Sequence, residues 1–199
     1  MNALTRLTQW LEKGGSVIGE IAITRSGERW ELHHVGDTGE CQTFTRWQDA
    51  RTLANLTDDG TFRPIKTTRD LRHGWRLILS NTEEIVRALD YFYPAMLGLW
   101  QADASGQLAP TDLRETLARQ TGMYRITQTI TDAQAQALIA KTCAGCMKTM
   151  LWKIAPSQPI TTLPPGKHQR ADFPLLCREA CNYLVGHARA VVKAASTSE

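Results

Sequence analysis

Apolar positions along this chain recur with two different periods. In "MNALTRLTQWLEKGG", Leu4, Leu7 and Leu11 return at helical spacing and predict an amphipathic helix rather than a compact secretory leader. "SVIGEIAIT" and "RWELHHVG" alternate instead, with Trp30 and Leu32 set against Glu31 and His33, and predict strands joined by a turn around Ser26 and Gly27. "TRWQDARTLANL" predicts a short helix closed by the polar "TDDG" turn. "GWRLILS" predicts a strand with Trp75, Leu77 and Leu79 on one face. Asn81 with Glu84 three residues on predicts a capped helix that lasts until Pro94.

The polar, small-residue stretch "WQADASGQLAP" predicts a connector. Beyond it, "TDLRETLARQTG" predicts a helix with Leu113 and Leu117 one turn apart and Gly122 near its end. Thr131 and Gln134 form a second capping-box pattern, opening a helix toward Cys143. In "FPLLCREACNYLVGHARAVV", Pro174 suits an early helical turn. Cys177, Cys181, Leu184 and Ala188 follow at spacings of four, three and four, which predicts one helix face carrying both cysteines. The expected fold is α+β: a small antiparallel sheet with helices over residues 1–101, then a helical four-cysteine subdomain over residues 110–195.

Composition narrows the class. The 199 residues are 42% hydrophobic and 22% charged, an ordinary globular balance. No apolar run reaches about 18 residues, so no membrane span is expected. A cytoplasmic location follows as an expectation, and there cysteines bind metals or react more often than they form disulfides. Charge is uneven: residues 1–140 carry 15 Lys/Arg against 17 Asp/Glu, a net −2, whereas residues 141–199 carry 8 against 3, a net +5. The basic surplus begins where the paired cysteines begin, and it suits either nucleic acid or a negatively charged thiolate cluster.

Four of the five cysteines form C-x2-C and C-x3-C pairs separated by thirty residues: Cys143 with Cys146, and Cys177 with Cys181. Soft thiolates select zinc or iron-sulfur over magnesium or calcium. Spacing leaves one [4Fe-4S] cluster and one zinc ion equally open, with buried apolar cysteines as the blander reading. Lys148, Lys153 and Arg178 are candidate sources of positive potential beside the thiols.

Other candidates are weaker. Cys41 in "DTGECQTF" is isolated and reads as half-buried. His33 and His34 alternate across a strand and cannot act together as adjacent ligands. His168 and His187 read as a loop and a helix-surface residue, and Glu31 and Asp37 form no acid pair. No H-E-x-x-H, G-x-G-x-x-G, G-x-S-x-G or Walker motif occurs, so no catalytic signature is present. Arg63, Lys66, Arg69, Arg72 and Arg76 make a basic segment opposed only by Asp70. With Phe62 and Trp75 beside it, a solvated loop is the plain reading and an aromatic anion or single-stranded nucleic acid the sharper one.

"CAGCMKTMLWKI" followed by "FPLLCREACNYLVGHARAVV" resembles the four-cysteine iron-sulfur domain at the C-terminus of proteins related to the CbiX-type sirohydrochlorin cobaltochelatases. "DDGTFRPIKTTRDLRHGWRLIL" is similar to the companion segment of that family in its R-P-x-K, L-R and G-W elements. The resemblance implies that Cys143, Cys146, Cys177 and Cys181 ligate a [4Fe-4S] cluster. It matches Trp152 to a family Leu-Trp pair and Arg189 to the arginine after the last cysteine. "CREAC" lacks the family's usual proline, and nothing in these residues resembles the chelatase part. The implied role is electron transfer or cluster-dependent assistance in tetrapyrrole or cobalamin metabolism, with a redox protein or a carboxylated tetrapyrrole as partner. A zinc-stabilised structural or adaptor protein is the first alternative. A nucleic-acid-binding metal or redox sensor ranks last, because no helix is conspicuously basic.

Overall fold

The computed structural model describes residues 2–62, 71–143, 146–154, 161–162, 173–178 and 180–196. Two compact units divide the chain: the described residues up to Leu108 together with 173–175 form the first, and the remainder form the second. The architecture is α+β.

The first unit opens with α1 (Ala3–Glu12). Asn2 caps it by accepting the Thr5 N–H at 2.8 Å, and Leu7, Trp10 and Leu11 make its buried stripe. The expected first strand is split into β1 (Val17–Ile18) and β2 (Ile21–Ser26). Gly19 turns between them with φ +58°, and a Cβ there would meet the Tyr93 hydroxyl at 2.5 Å. That hydroxyl accepts the Glu20 N–H at 2.8 Å, so only glycine fits both the turn and the contact. β3 (Arg29–His34) pairs antiparallel with β2.

β4 (Gln42–Phe44) leads through a 3₁₀ turn at Trp47–Asp49 into α2 (Ala50–Asn55). β5 (Trp75–Leu79) then enters between β3 and β4, giving the order β1-β2-β3-β5-β4. β5 runs antiparallel to β3 and parallel to β4. The sheet is therefore mixed at its β4 edge, because the long return from β4 passes through α2 rather than through a hairpin.

Asn81 starts α3 (Thr82–Phe92), accepting the Glu84 N–H at 3.0 Å. The Glu84 carboxylate accepts the Ser80 N–H at 2.7 Å, one residue earlier than a standard capping box. Ile85, Ala88, Leu89 and Phe92 are its core face. α4 (Met96–Ala104) follows Pro94, so the first half of the expected "WQADASGQLAP" connector is helix. Trp100 explains this: it stacks on Phe173 with ring centroids 4.1 Å apart and helps close the core.

In the second unit, β6 (Thr111–Asp112) runs into α5 (Leu113–Ala118), capped by Asp112. A 3₁₀ stretch covers Gly122–Thr129, and α6 (Asp132–Cys143) follows. β7 (Thr149–Lys153) is the hub of a small sheet. It pairs parallel with β6, antiparallel with β8 (Thr161–Thr162) and parallel with β9 (Leu176–Cys177). α7 (Asn182–Ser196) closes the unit. The core beneath contains Leu113, Leu138, Ile139, Met150, Trp152, Leu184 and Val192, with Cys143 inside it. Among the described residues no helix is long and apolar enough to cross a membrane.

Candidate metal centre

Local sequence places Cys143 with little freedom. The Thr131 N–H donates to Gln134 Oε1 at 2.9 Å and the Gln134 N–H donates to Thr131 Oγ1 at 3.2 Å, completing the expected capping box. Arg114 braces the same end, donating from Nε and Nη2 to Asp132 at 2.8 and 2.6 Å. From that start, α6 buries Ala135, Leu138, Ile139, Thr142 and Cys143, the 3.6-residue stripe that carries the first thiol into the core. The Cys146 N–H donates to the Cys143 carbonyl at 3.0 Å. The Lys148 N–H then donates to Cys146 Sγ at 3.4 Å.

The second pair departs from the expected helical clasp. Cys177 lies in β9, where it pairs with Met150 of β7. Cys181 stands just before α7, its carbonyl accepting the Val185 N–H at 3.0 Å and its Sγ accepting the Leu184 N–H at 3.5 Å. Spacings of four, three and four fit a helix, but pairing with β7 takes the first of these residues into the sheet. Cys181 becomes the capping residue of α7, its sulfur taking one of the N–H groups left free at the helix start.

A strand end, two helix ends and a following turn thus place Cys146, Cys177 and Cys181 in the neighbourhood of Cys143. Cys177 and Cys181 both pack on the core that holds Cys143. Burial pushes the Cys143 thiol up to about 12, and the neighbouring Cys146, Cys181 and Cys177 push in the same direction. Cys146 is also raised by burial, against the Lys148 N–H and then the Lys148 charge, which favour its thiolate. Four clustered thiols at low dielectric ionise together only when positive charge enters among them, which a bound metal group supplies.

Polar groups adjoining these cysteines in sequence or sharing their core suit such an occupant. Thr142 Oγ1, Trp152 Nε1 and Arg178 Nε are buried without a hydrogen-bond partner among the described residues. Thr142 adjoins Cys143, Arg178 adjoins Cys177, and Trp152 shares their core. Donors of this kind bond cluster sulfurs and tune their potential. Lys148 is buried as well, a placement that spacing did not reveal. Cys41 lies elsewhere, its Sγ 3.9 Å from Asp37 and its thiol raised by burial.

The basic segment has a different outcome. Arg63, Lys66 and Arg69 lie outside the described residues, as does His168. Trp75 is only 1% exposed, stacks on Phe92 at 5.1 Å and donates its indole N–H to the Arg72 carbonyl. It offers no face to a ligand, correcting its inclusion in the anion surface: the alternation that puts Leu77 and Leu79 in the core puts Trp75 there too. Arg76 points the other way and pairs with Glu31 at 2.9 Å. Phe62 is 72% exposed.

Residues 105–190 match the family described as a 4Fe-4S iron-sulfur cluster binding domain, and residues 3–104 match the DR2241 stabilising domain. The chain belongs to this DR2241 stabilising-domain family, and its cofactor is a [4Fe-4S] cluster. That resolves the choice between iron-sulfur and zinc that spacing had left open. A similar solved structure is DR2241 from Deinococcus radiodurans, described as a multi-domain protein with structural similarity to chelatases and two additional novel domains. It is 31% identical with a TM-score of 0.80; the match covers 96% of this chain and 41% of that one. No curated protein matches the chain.

Proposed function

We propose that Cys143, Cys146, Cys177 and Cys181 hold the [4Fe-4S] cluster, and that the protein is a cytoplasmic electron-transfer or accessory module for tetrapyrrole chemistry. Supporting the ligand set, Cys177 and Cys181 pack on the core that holds Cys143, and Cys146, Cys181 and Cys177 all lie near enough to Cys143 to disfavour its thiolate. When bound, the cluster supplies one-electron transfer at a potential set by burial, charge and hydrogen bonds to sulfur. Within the chain, the Leu184 N–H orients Cys181 and the Lys148 N–H orients Cys146. Lys148 and Arg178 offset the negative charge of a four-thiolate cluster.

Chelatase similarity in the larger DR2241 protein supports the tetrapyrrole branch of this reading. Arg72 and exposed Phe62, with Arg63, Lys66 and Arg69, remain the proposed surface for a carboxylated tetrapyrrole or an acidic redox partner. Anaerobic purification tests the ligand set: about four iron and four sulfide per chain are expected, lost on Cys177→Ser or Cys181→Ser and kept on Cys41→Ser. Iron retained by both serine variants would overturn it. Titrating cluster-loaded protein with a sirohydrochlorin-like polycarboxylate, followed by calorimetry, tests the second part. Saturable binding weakened by Arg72→Ala is expected; absence of saturation removes the tetrapyrrole branch.

A further inference from the structure

A second group of metal-type side chains lies in the first unit, away in sequence from the four thiols. β3 and β5 are hydrogen-bonded neighbours with His33 opposite Arg76, so the exit of β3 and the entry to β5 meet at one end of the sheet. His34 closes β3, Asp37 follows three residues later and His73 precedes β5. One ligand atom from each lies within 4.8 Å of the others. The imidazole rings of His34 and His73 face each other with centroids 3.7 Å apart. His34 is 7% exposed; the side chain of Asp37 is also 7% exposed, while that of His73 is 49% exposed.

We propose that His34, Asp37 and His73 form a mononuclear site for a divalent transition ion of the zinc class. Two imidazoles and a carboxylate are a borderline donor set that suits such ions and leaves a fourth position for water. Bonds of about 2.0–2.1 Å give a tetrahedral ligand–ligand edge of roughly 3.4 Å. His73 Nδ1 already lies 3.1 Å from Asp37 Oδ1. A carboxylate only accepts, so that nitrogen carries the proton in the metal-free protein. An ion entering there replaces the hydrogen bond, and the ring keeps one proton by exchanging it through water to its other nitrogen.

The surroundings hold the ligands as a site requires. The Gly74 N–H donates to both Asp37 oxygens at 3.1 Å, and the His73 N–H donates to Asp58 at 2.6 Å. The first contacts orient the carboxylate for coordination, and the second fixes the backbone that carries the His73 ring. Gly36 sits against both rings: a Cβ there would come 3.0 Å from His73 Cε1 and 3.2 Å from His34 Nδ1. Its N–H donates to His34 Nδ1 at 3.0 Å, so His34 binds an ion only by giving up that hydrogen bond, either through Nδ1 itself or through Nε2 once the ring proton has moved to Nδ1 by way of water. An ion pair between His73 and Asp37 does not by itself account for the second imidazole, which lies tilted 51° against the first. An ion instead draws both neutral rings toward itself. A cleft lined by Asp58, Asp59, Leu71 and His73 provides an acidic approach for a cation.

Cluster-loaded full-length protein, whose paired thiols are already engaged, is dialysed anaerobically against zinc and analysed for zinc and iron, with calorimetry for affinity. About one zinc per chain with iron unchanged is expected. His73→Ala and Asp37→Asn should each weaken zinc binding by roughly 100-fold or more, with iron content and far-UV circular dichroism preserved. No zinc uptake by well-folded wild-type protein would overturn the site. So would zinc that displaces iron and binds both variants as tightly as wild type, since it would then lie at the thiols.

Discussion

The two units keep their interiors together by different means. The first buries large apolar side chains throughout, with Trp75 on Phe92, Trp100 on Phe173 and Leu32, Leu77 and Leu79 across the sheet. The second has Trp152, Leu138 and Leu184 at its centre, with Cys143 buried among them and Cys177 and Cys181 packed against that core. An apolar core completes itself through contact. A set of thiol ligands is complete only with its cofactor, so metal binding there is also folding free energy. Within one chain, then, the first unit is expected to hold without a cofactor and the second to depend on one.

Cluster removal should produce the largest separation between them. Chelating iron under reducing conditions should cost the second unit on the order of several kcal/mol. Hydrogen exchange should accelerate along α6 and α7 while β2, β3 and β5 stay protected. Equal loss of protection in both units would break the contrast. Trp75→Ala should act in the opposite direction, costing about 3–5 kcal/mol in the first unit while iron content per folded chain stays constant. Thermal unfolding followed separately at the cluster absorbance and in the far ultraviolet checks this.

Smaller changes sharpen the contrast inside the second unit. Thr131→Ala removes one half of the capping box and should cost about 1 kcal/mol. Because α6 carries Cys143, iron release to a chelator should also quicken. Arg114→Met removes the fork on Asp132; that arginine is partly exposed, so roughly 0.5–1 kcal/mol is expected by denaturant titration. Cys41→Ser should change stability by less than about 0.5 kcal/mol and leave cluster absorbance untouched. A loss of iron there comparable to that of Cys181→Ser would return Cys41 to the ligand question.

Local signals set much of this architecture. Asn81 and Thr131 with Gln134 mark helix starts because each satisfies N–H groups within a few residues, and those contacts form as the sequence alone predicts. The alternation in β5 and the cysteine spacing are likewise legible, as is the soft-ligand character of the paired thiols. Other features depend on distant partners. Cys177 belongs to a strand because β7 offers it a backbone ladder at Met150, 27 residues earlier in the chain, not because of its spacing to Cys181. Trp75 lies in the core because Phe92 receives it. His34 meets His73 because β3 and β5 are neighbours in the sheet. Hydrogen bonds within one turn can be read from a short window of residues. Sheet pairing, burial and the meeting of side chains from separate strands are decided only when the whole chain has found which surfaces to exclude from water.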